Sequence, residues 1–176
     1  GYCDQDRTHL ASLSLGVQTP EFASSPMRFA LSGWRASGIL SARSGSPLNV
    51  TSGRDNAFNG QTLQRADQVG DDVYGNKSLS QFLNPAAFAQ PANGTLGSFR
   101  RNDLKGPGYW TIDLALSRLV RFAASQNLEL RLEAFNLLNN FNWGNPVTNF
   151  GSGNFGRIQT QSGSPRIMQF GVKYGF

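Results

Sequence analysis

From Met168 to Phe176 every second side chain is large and apolar: Met168, Phe170, Val172, Tyr174 and Phe176 alternate with Gln169, Gly171, Lys173 and Gly175. Successive side chains of a strand point to opposite sides, so the stretch reads as one strand with an apolar and a polar face. Soluble sheets alternate in the same way. Two aromatics at the strand end fit better where an apolar face meets lipid and rings mark the boundary with water.

Composition is compatible with that reading. The 176 residues are 39% hydrophobic, and no apolar run approaches the roughly 20 residues that a membrane helix needs. Spanning strands escape that test, because half of each faces a polar lumen. The 20 glycines, with many asparagines and serines, favour turns and extended chain over helices. The net charge of +5 comes from dispersed Lys and Arg, adjacent only at Arg100 and Arg101, which argues against a nucleic-acid surface. Cys3 is the single cysteine, so no disulfide framework or cysteine metal site forms within the chain.

Further segments alternate like the last. Arg7 to Gln18 sets Ala11, Leu13, Leu15 and Val17 against Leu10, Ser12, Ser14 and Gly16, and a modest link with two prolines follows. Phe29 to Arg43 sets Trp34, Ala36, Gly38, Leu40 and Ala42 against Arg35, Ser37, Ile39, Ser41 and Arg43. A long polar link, Ser44 to Gly108, leads to Tyr109 to Phe122, where Trp110, Ile112, Leu114, Leu116, Val120 and Phe122 oppose Thr111, Asp113, Ala115, Ser117 and Arg121. A tight turn, Ala123 to Gln126, joins it to Asn127 to Leu138, with Leu128, Leu130, Leu132 and Ala134 opposite Glu129, Arg131 and Glu133. A second long link, Asn139 to Ser164, holds a further extended piece at Phe155 to Gln159 and precedes the final strand. Short and long connections alternate, as periplasmic turns and extracellular loops do. The expected fold is therefore all-β: an antiparallel transmembrane β-barrel fragment of about five spanning strands with two long extracellular loops, the C-terminus lying on the periplasmic side.

Trp110 and Phe122 bracket the apolar face of the third strand. At about 3.3 Å per residue and a tilt near 45° they span roughly 28 Å of membrane, close to an apolar band of about 25 Å. Trp34, Trp110 and Phe122 are thus expected in an aromatic girdle, and Asp113, Arg121, Glu129, Arg131, Glu133 and Lys173 on the lumen side, with Glu129, Arg131 and Glu133 forming a charge ladder satisfied by cross-strand partners and water. Arg118 breaks the pattern by falling on the lipid face. Either it snorkels to the interface or a bulge shifts the alternation.

Chemistry-bearing residues are sparse. His9 is the only histidine and lacks ligand partners at useful spacing, Asp71, Asp72 and Asp103 lack the spacing of a calcium loop, and Gly151-Ser152-Gly153 lacks the flanks of a phosphate loop. No catalytic residue, cofactor or metal is expected, and the chain does not read as an enzyme. The asparagines and rings of Phe135 to Trp143 suit a turn at the extracellular rim.

In order and spacing, DRTH at Asp6, GWRASGI at Gly33, SGSPLNV at Ser44, RADQVGD at Arg65, FLNPAAFAQPANGTLGSFRRNDLKGPGY at Phe82, LRLEAFNLLNNFNWGNP at Leu130, FGRI at Phe155 and the terminal strand resemble the end of a TonB-dependent outer-membrane receptor. In particular they resemble the Oar-like group with a carboxypeptidase-regulatory-like domain. The resemblance implies a barrel of about 22 strands with a plug. Residues 1–176 would be the C-terminal part of that barrel, with the plug and N-terminal strands outside the sequence given. It further implies the bacterial outer membrane, with energy coupling to TonB, ExbB and ExbD through the plug. Expected partners are outer-membrane lipid, a small-molecule, carbohydrate or peptide ligand met by the long loops, and the barrel assembly machinery. That machinery would read Met168, Phe170, Val172, Tyr174 and Phe176 as its recognition signal. A passive porin or adhesin barrel and a secreted all-β binding module are the alternatives.

Overall fold

The computed structural model describes residues 2–122 and 126–176. The elements run β1 (Leu10–Gln18), α1 (Ser25–Leu31), β2 (Trp34–Arg43), β3 (Pro47–Leu48), β4 (Asp67–Gln68), a 3-10 turn (Pro85–Ala87), β5 (Phe88–Ala89), β6 (Leu104–Lys105), β7 (Tyr109–Arg121), β8 (Asn127–Phe135) and β9 (Ile167–Gly175). They divide into two units. One comprises residues 1–9, 43–109 and 142–162, and the other residues 10–42, 110–141 and 163–176.

The second unit is an open five-stranded sheet in the order β1-β2-β7-β8-β9. β7 runs antiparallel to β8, with Leu116 opposite Leu132, and β8 antiparallel to β9, with Leu132 opposite Phe170. β2 meets β7 with Gly33 beside Leu119, the Leu119 N–H donating to the Gly33 carbonyl at 2.9 Å. β1 ends where Thr19 N–H donates to the Trp34 carbonyl, also at 2.9 Å. These are the five alternating segments, the first four with shorter bounds and the last shifted by one residue. The first begins at Leu10 rather than Arg7 and the third ends at Arg121. The fourth stops at Phe135 rather than Leu138, because Asn136 takes a left-handed φ of 49° and turns the chain.

The second segment needs the larger correction. Phe29 to Leu31 belong to α1, not to the strand, which starts at Trp34. Pro26 sits at the start of the helix, where its missing N–H costs nothing, and Met27, Arg28, Phe29, Ala30 and Leu31 tolerate the helical backbone. Gly33 then redirects the chain with φ +79°, where a Cβ would lie 2.3 Å from the Leu119 carbonyl oxygen. The tight turn expected at Ala123 to Gln126 lies, except for Gln126, outside the described residues; Phe122 N–H donates to the Gln126 carbonyl at 3.0 Å.

The first unit gathers most of both long links around a hydrophobic core of its own. Leu48, Val50, Ala66, Phe82, Leu83, Ala87, Phe88, Phe99, Leu104, Phe155 and Ile158 are buried together. Phe88 lies edge-on to Phe99 and to Phe155, each at a centroid distance of 5.6 Å, the arrangement that ring quadrupoles favour. Regular structure is scant. β3 pairs with β6 and β4 with β5, two residues each, and Asn84 caps the 3-10 turn by accepting the Ala86 N–H at 3.1 Å. Gly97 admits the neighbouring chain, since a Cβ there would stand 2.0 Å from the Arg65 carbonyl oxygen. Phe155 to Gln159 is not an extended strand: only Ile158 makes a single bridge, to Pro146.

A side-chain-built turn orders residues 55–64 of this unit. The Asp55 carboxylate accepts N–H bonds from Asn59 at 3.0 Å and Gly60 at 2.8 Å, and an amide bond from Gln64 at 2.7 Å. Burial pushes the carboxyl up, but the Gly60 and Asn59 N–H groups and the Gln64 amide outweigh it and hold the pKa below its ordinary 3.8. A depressed folded pKa contributes stability that is complete above 3.8 and lost as pH falls through the folded value. Protection of the Gly60 amide from hydrogen exchange is therefore expected to fall below pH 3.8 in the wild type and to be already reduced, without that pH step, in Asp55→Asn.

Candidate functional site

The register assigns the faces of the sheet. Val120, Leu128 and Tyr174 form one cross-strand row; Arg118, Leu130 and Val172 a second; Leu116, Leu132 and Phe170 a third; Leu114, Ala134 and Met168 a fourth. All four lie on one side. A Cβ at Gly38 would stand 3.8 Å from Leu114 Cδ1, which puts Gly38, and by alternation Trp34, Ala36 and Leu40, on that side too. The face is most open on β9, where Phe170 is 80% and Val172 72% exposed, while Ala134 is buried and Leu116, Leu128 and Leu132 are half-buried. A contiguous apolar surface of this kind in a protein marks an interface with something apolar.

The opposite side carries Leu119, Glu129 and Lys173 in one row, Ser117, Arg131 and Gly171 in the next, then Ala115, Glu133 and Gln169. The expectation of cross-strand satisfaction fails for Arg131, whose guanidinium donates to Glu133, two residues along the same strand, at 2.6 Å. Gly171 stands opposite Arg131 and offers it no side chain. Arg121 pairs at 2.6 Å with Glu21, from the segment after β1. Asp113 instead accepts the Asn136 backbone N–H at 2.8 Å, which ties the end of β8 to β7. A cavity of about 690 Å³ within this unit is lined by Arg28, Arg35, Arg118 and Arg121 with Glu21 and Glu129.

Arg118 is on the apolar side, as its position in the alternation requires, and the continuous pairing from Leu114 to Arg121 excludes a bulge there. Its guanidinium lies 5.1 Å from the Trp34 ring centroid and 5.5 Å from that of Phe29, and donates to the Phe29 carbonyl. The fold thus brings α1 over the cation and covers it with two aromatic faces, which attract a guanidinium. Helix α1 was the missing element in the sequence reading. Without it, Arg118 had no visible partner.

Trp110 is 40% and Phe122 61% exposed, both on the apolar side by alternation, while Trp34 is half-buried with its indole N–H donating to the Ala30 carbonyl at 3.0 Å. Strand β9 pairs with β8 alone, so its other edge is free and every residue from Ile167 to Lys173 is exposed. The Tyr174 and Phe176 rings stack at 6.1 Å, and Phe176 is 95% exposed.

His9 is exposed and joins Ser44 through its backbone, the Ser44 N–H donating to its carbonyl at 2.9 Å. Among the described residues no three His, Cys, Asp or Glu are grouped so as to hold a metal, and Cys3 is exposed as a free thiol. In the loop unit, Asn102 donates to Asp4 at 2.6 Å and, with the Arg101 charge, holds that carboxyl below its ordinary range. The same unit has an open cavity of about 450 Å³ lined by Phe150, Phe155 and Arg157. Sequence reasoning did not bring these loop residues together, since their proximity depends on long-range packing without periodicity.

No helix among the described residues is long and apolar enough to cross a membrane, whereas antiparallel strands with one apolar face cross it in closed sheets. No curated protein and no solved structure matches the chain. The family model of an outer membrane beta barrel domain matches residues 1–169. The alternating faces, the antiparallel order and this match agree: the chain belongs to the outer membrane β-barrel domain family, an all-β transmembrane barrel fragment of the bacterial outer membrane.

Proposed function

We propose that residues 1–176 form the C-terminal part of a TonB-dependent receptor barrel, which takes up a scarce ligand across the outer membrane with energy delivered through a plug. The observation that carries the reading is the open sheet. Among the described residues β1 and β9 are unpaired on their outer edges; a membrane sheet tolerates no free edge and even the smallest barrels need about eight strands, which supports a barrel completed by strands outside residues 1–176. The order of the motifs from Asp6 to Phe176 supports a receptor in particular.

In this reading Trp34, Trp110 and Phe122 sit near the interfaces, and Asp113, Arg121, Glu129, Arg131, Glu133 and Lys173 line the lumen. Met168, Phe170, Val172, Tyr174 and Phe176 are the signal for the barrel assembly machinery. An adhesin barrel is the second reading, favoured by the packed core of the loop unit. The reading frame upstream of Gly1 separates them. A plug followed by many alternating strands is expected, with uptake that a protonophore abolishes; a leader immediately before Gly1, or uptake indifferent to the proton gradient, would overturn the receptor reading.

A further inference from the structure

We infer that the loop unit holds a binding site for an oxyanion: the carboxylate, sulfate or phosphate group of a small molecule. The site is a cavity of about 130 Å³ reached by Arg7, Arg43, Tyr109 and Trp143. That is room for one compact head group, below the several hundred Å³ of a site that encloses a whole organic ligand. The assignment rests on the reading of the long loops as the ligand-facing part only for where such a molecule comes from.

Charge carries the argument. None of the residues lining the cavity is acidic, and neither arginine is in an ion pair among the described residues. Arg7, half-buried, spends one N–H on the neighbouring Asp6 carbonyl at 2.7 Å. The Asp6 carboxylate is engaged elsewhere, 2.9 Å from Lys105 Nζ. Arg43 lies with its guanidinium carbon 4.5 Å from the Tyr109 ring centroid. Stacking of that kind fixes the plane of a guanidinium and leaves its N–H edge to hydrogen-bond in the plane, the geometry that meets a two-oxygen anion. Two arginines without an ion-pair partner among the described residues line one small cavity with no acidic residue, Arg7 half-buried and Arg43 exposed, so an anion there gains from both charges.

The neutral groups are donors as well. Ser44 Oγ accepts the His9 N–H at 3.1 Å, so its own hydrogen is left to donate. Ser46 donates to Asn145 Oδ1 at 3.1 Å, which fixes the amide and leaves its NH₂ as a donor. Trp143, which also packs against the core of the unit, lines the cavity.

The test is an NMR titration of the intact barrel protein that carries this chain, folded in detergent micelles, at constant ionic strength. Acetate and glucuronate probe for a carboxylate, sulfate and inorganic phosphate for a tetrahedral anion. Saturable shifts of the Trp143 indole and the Gly144 amide are expected with one of these pairs, and the responding pair names the anion. Affinity should fall at least tenfold in Arg43→Gln and in Arg7→Gln and stay unchanged in Arg54→Gln, which does not line the cavity. Arg43→Lys keeps the charge but not the planar edge and should bind between wild type and Arg43→Gln. If no probe saturates, or if Arg7→Gln and Arg43→Lys, with loop-core signals intact, both bind as wild type does, the assignment is wrong. Anion binding with uptake insensitive to a protonophore would instead sink the transport reading alone.

Discussion

Leu132→Arg is expected to prevent the sheet from settling in a bilayer, while Gln169→Arg, on the neighbouring strand, is tolerated. Leu132 stands opposite Leu116 on one side and Phe170 on the other, and Leu116 lies midway between Trp110 and Phe122. An arginine there meets hydrocarbon near the centre of the membrane, at a cost of about 2–4 kcal/mol. Unlike Arg118 it would have no aromatic pair or helix carbonyl over it. Gln169 is on the other face, opposite Glu133, where a new cation gains a carboxylate neighbour and the change should stay within about 0.5 kcal/mol. The measurement is the folded fraction of the closed barrel in lipid vesicles, read from gel mobility without heating across a urea series. Equal tolerance of both substitutions would mean that the apolar rows face something other than lipid.

Phe88→Ala should loosen the loop unit. The ring is 4% exposed and lies edge-on to Phe99 and Phe155, so its removal leaves a cavity that those rings cannot fill without giving up each other's contacts. Such truncations cost about 3–5 kcal/mol. The expected result is rapid proteolytic cleavage within residues 44–108, where the wild type resists. Phe58→Ala is the control, because Phe58 is 72% exposed and outside the buried core. Cleavage at the same rate in wild type and Phe88→Ala would show that the core does not hold the loops together.

Where the sheet is concerned, periodicity carried most of the information. A period of two reports which side of a strand each residue occupies, and every paired row from Leu114 to Met168 groups residues as the alternation had grouped them. Strand ends were less legible. Asn136 looks like any polar residue in the run that follows Phe135 until its left-handed backbone is seen, and Phe29 to Leu31 continue an alternation that Pro26 and Gly33 override. The loop unit was the least legible part. Its buried residues come from Leu48, Phe82, Phe99 and Phe155, scattered among turns with no period to connect them, so a packed core read as a polar link. The cavity beside Arg7 and Arg43 was invisible for the same reason, since residues far apart in the chain meet there.

That core has a thermodynamic consequence for whatever the loop unit encounters. A segment that orders only on contact spends part of its interaction energy on ordering, about 2–5 kcal/mol or more for a folding loop, and shows it as a large negative heat-capacity change. Residues 44–108 and 142–162 already have their rings interlocked and the Asp55 turn tied. Contact with them resembles docking onto a preformed surface: little configurational freedom is surrendered, association is not gated by a folding step, and discrimination rests on shape and charge already in place.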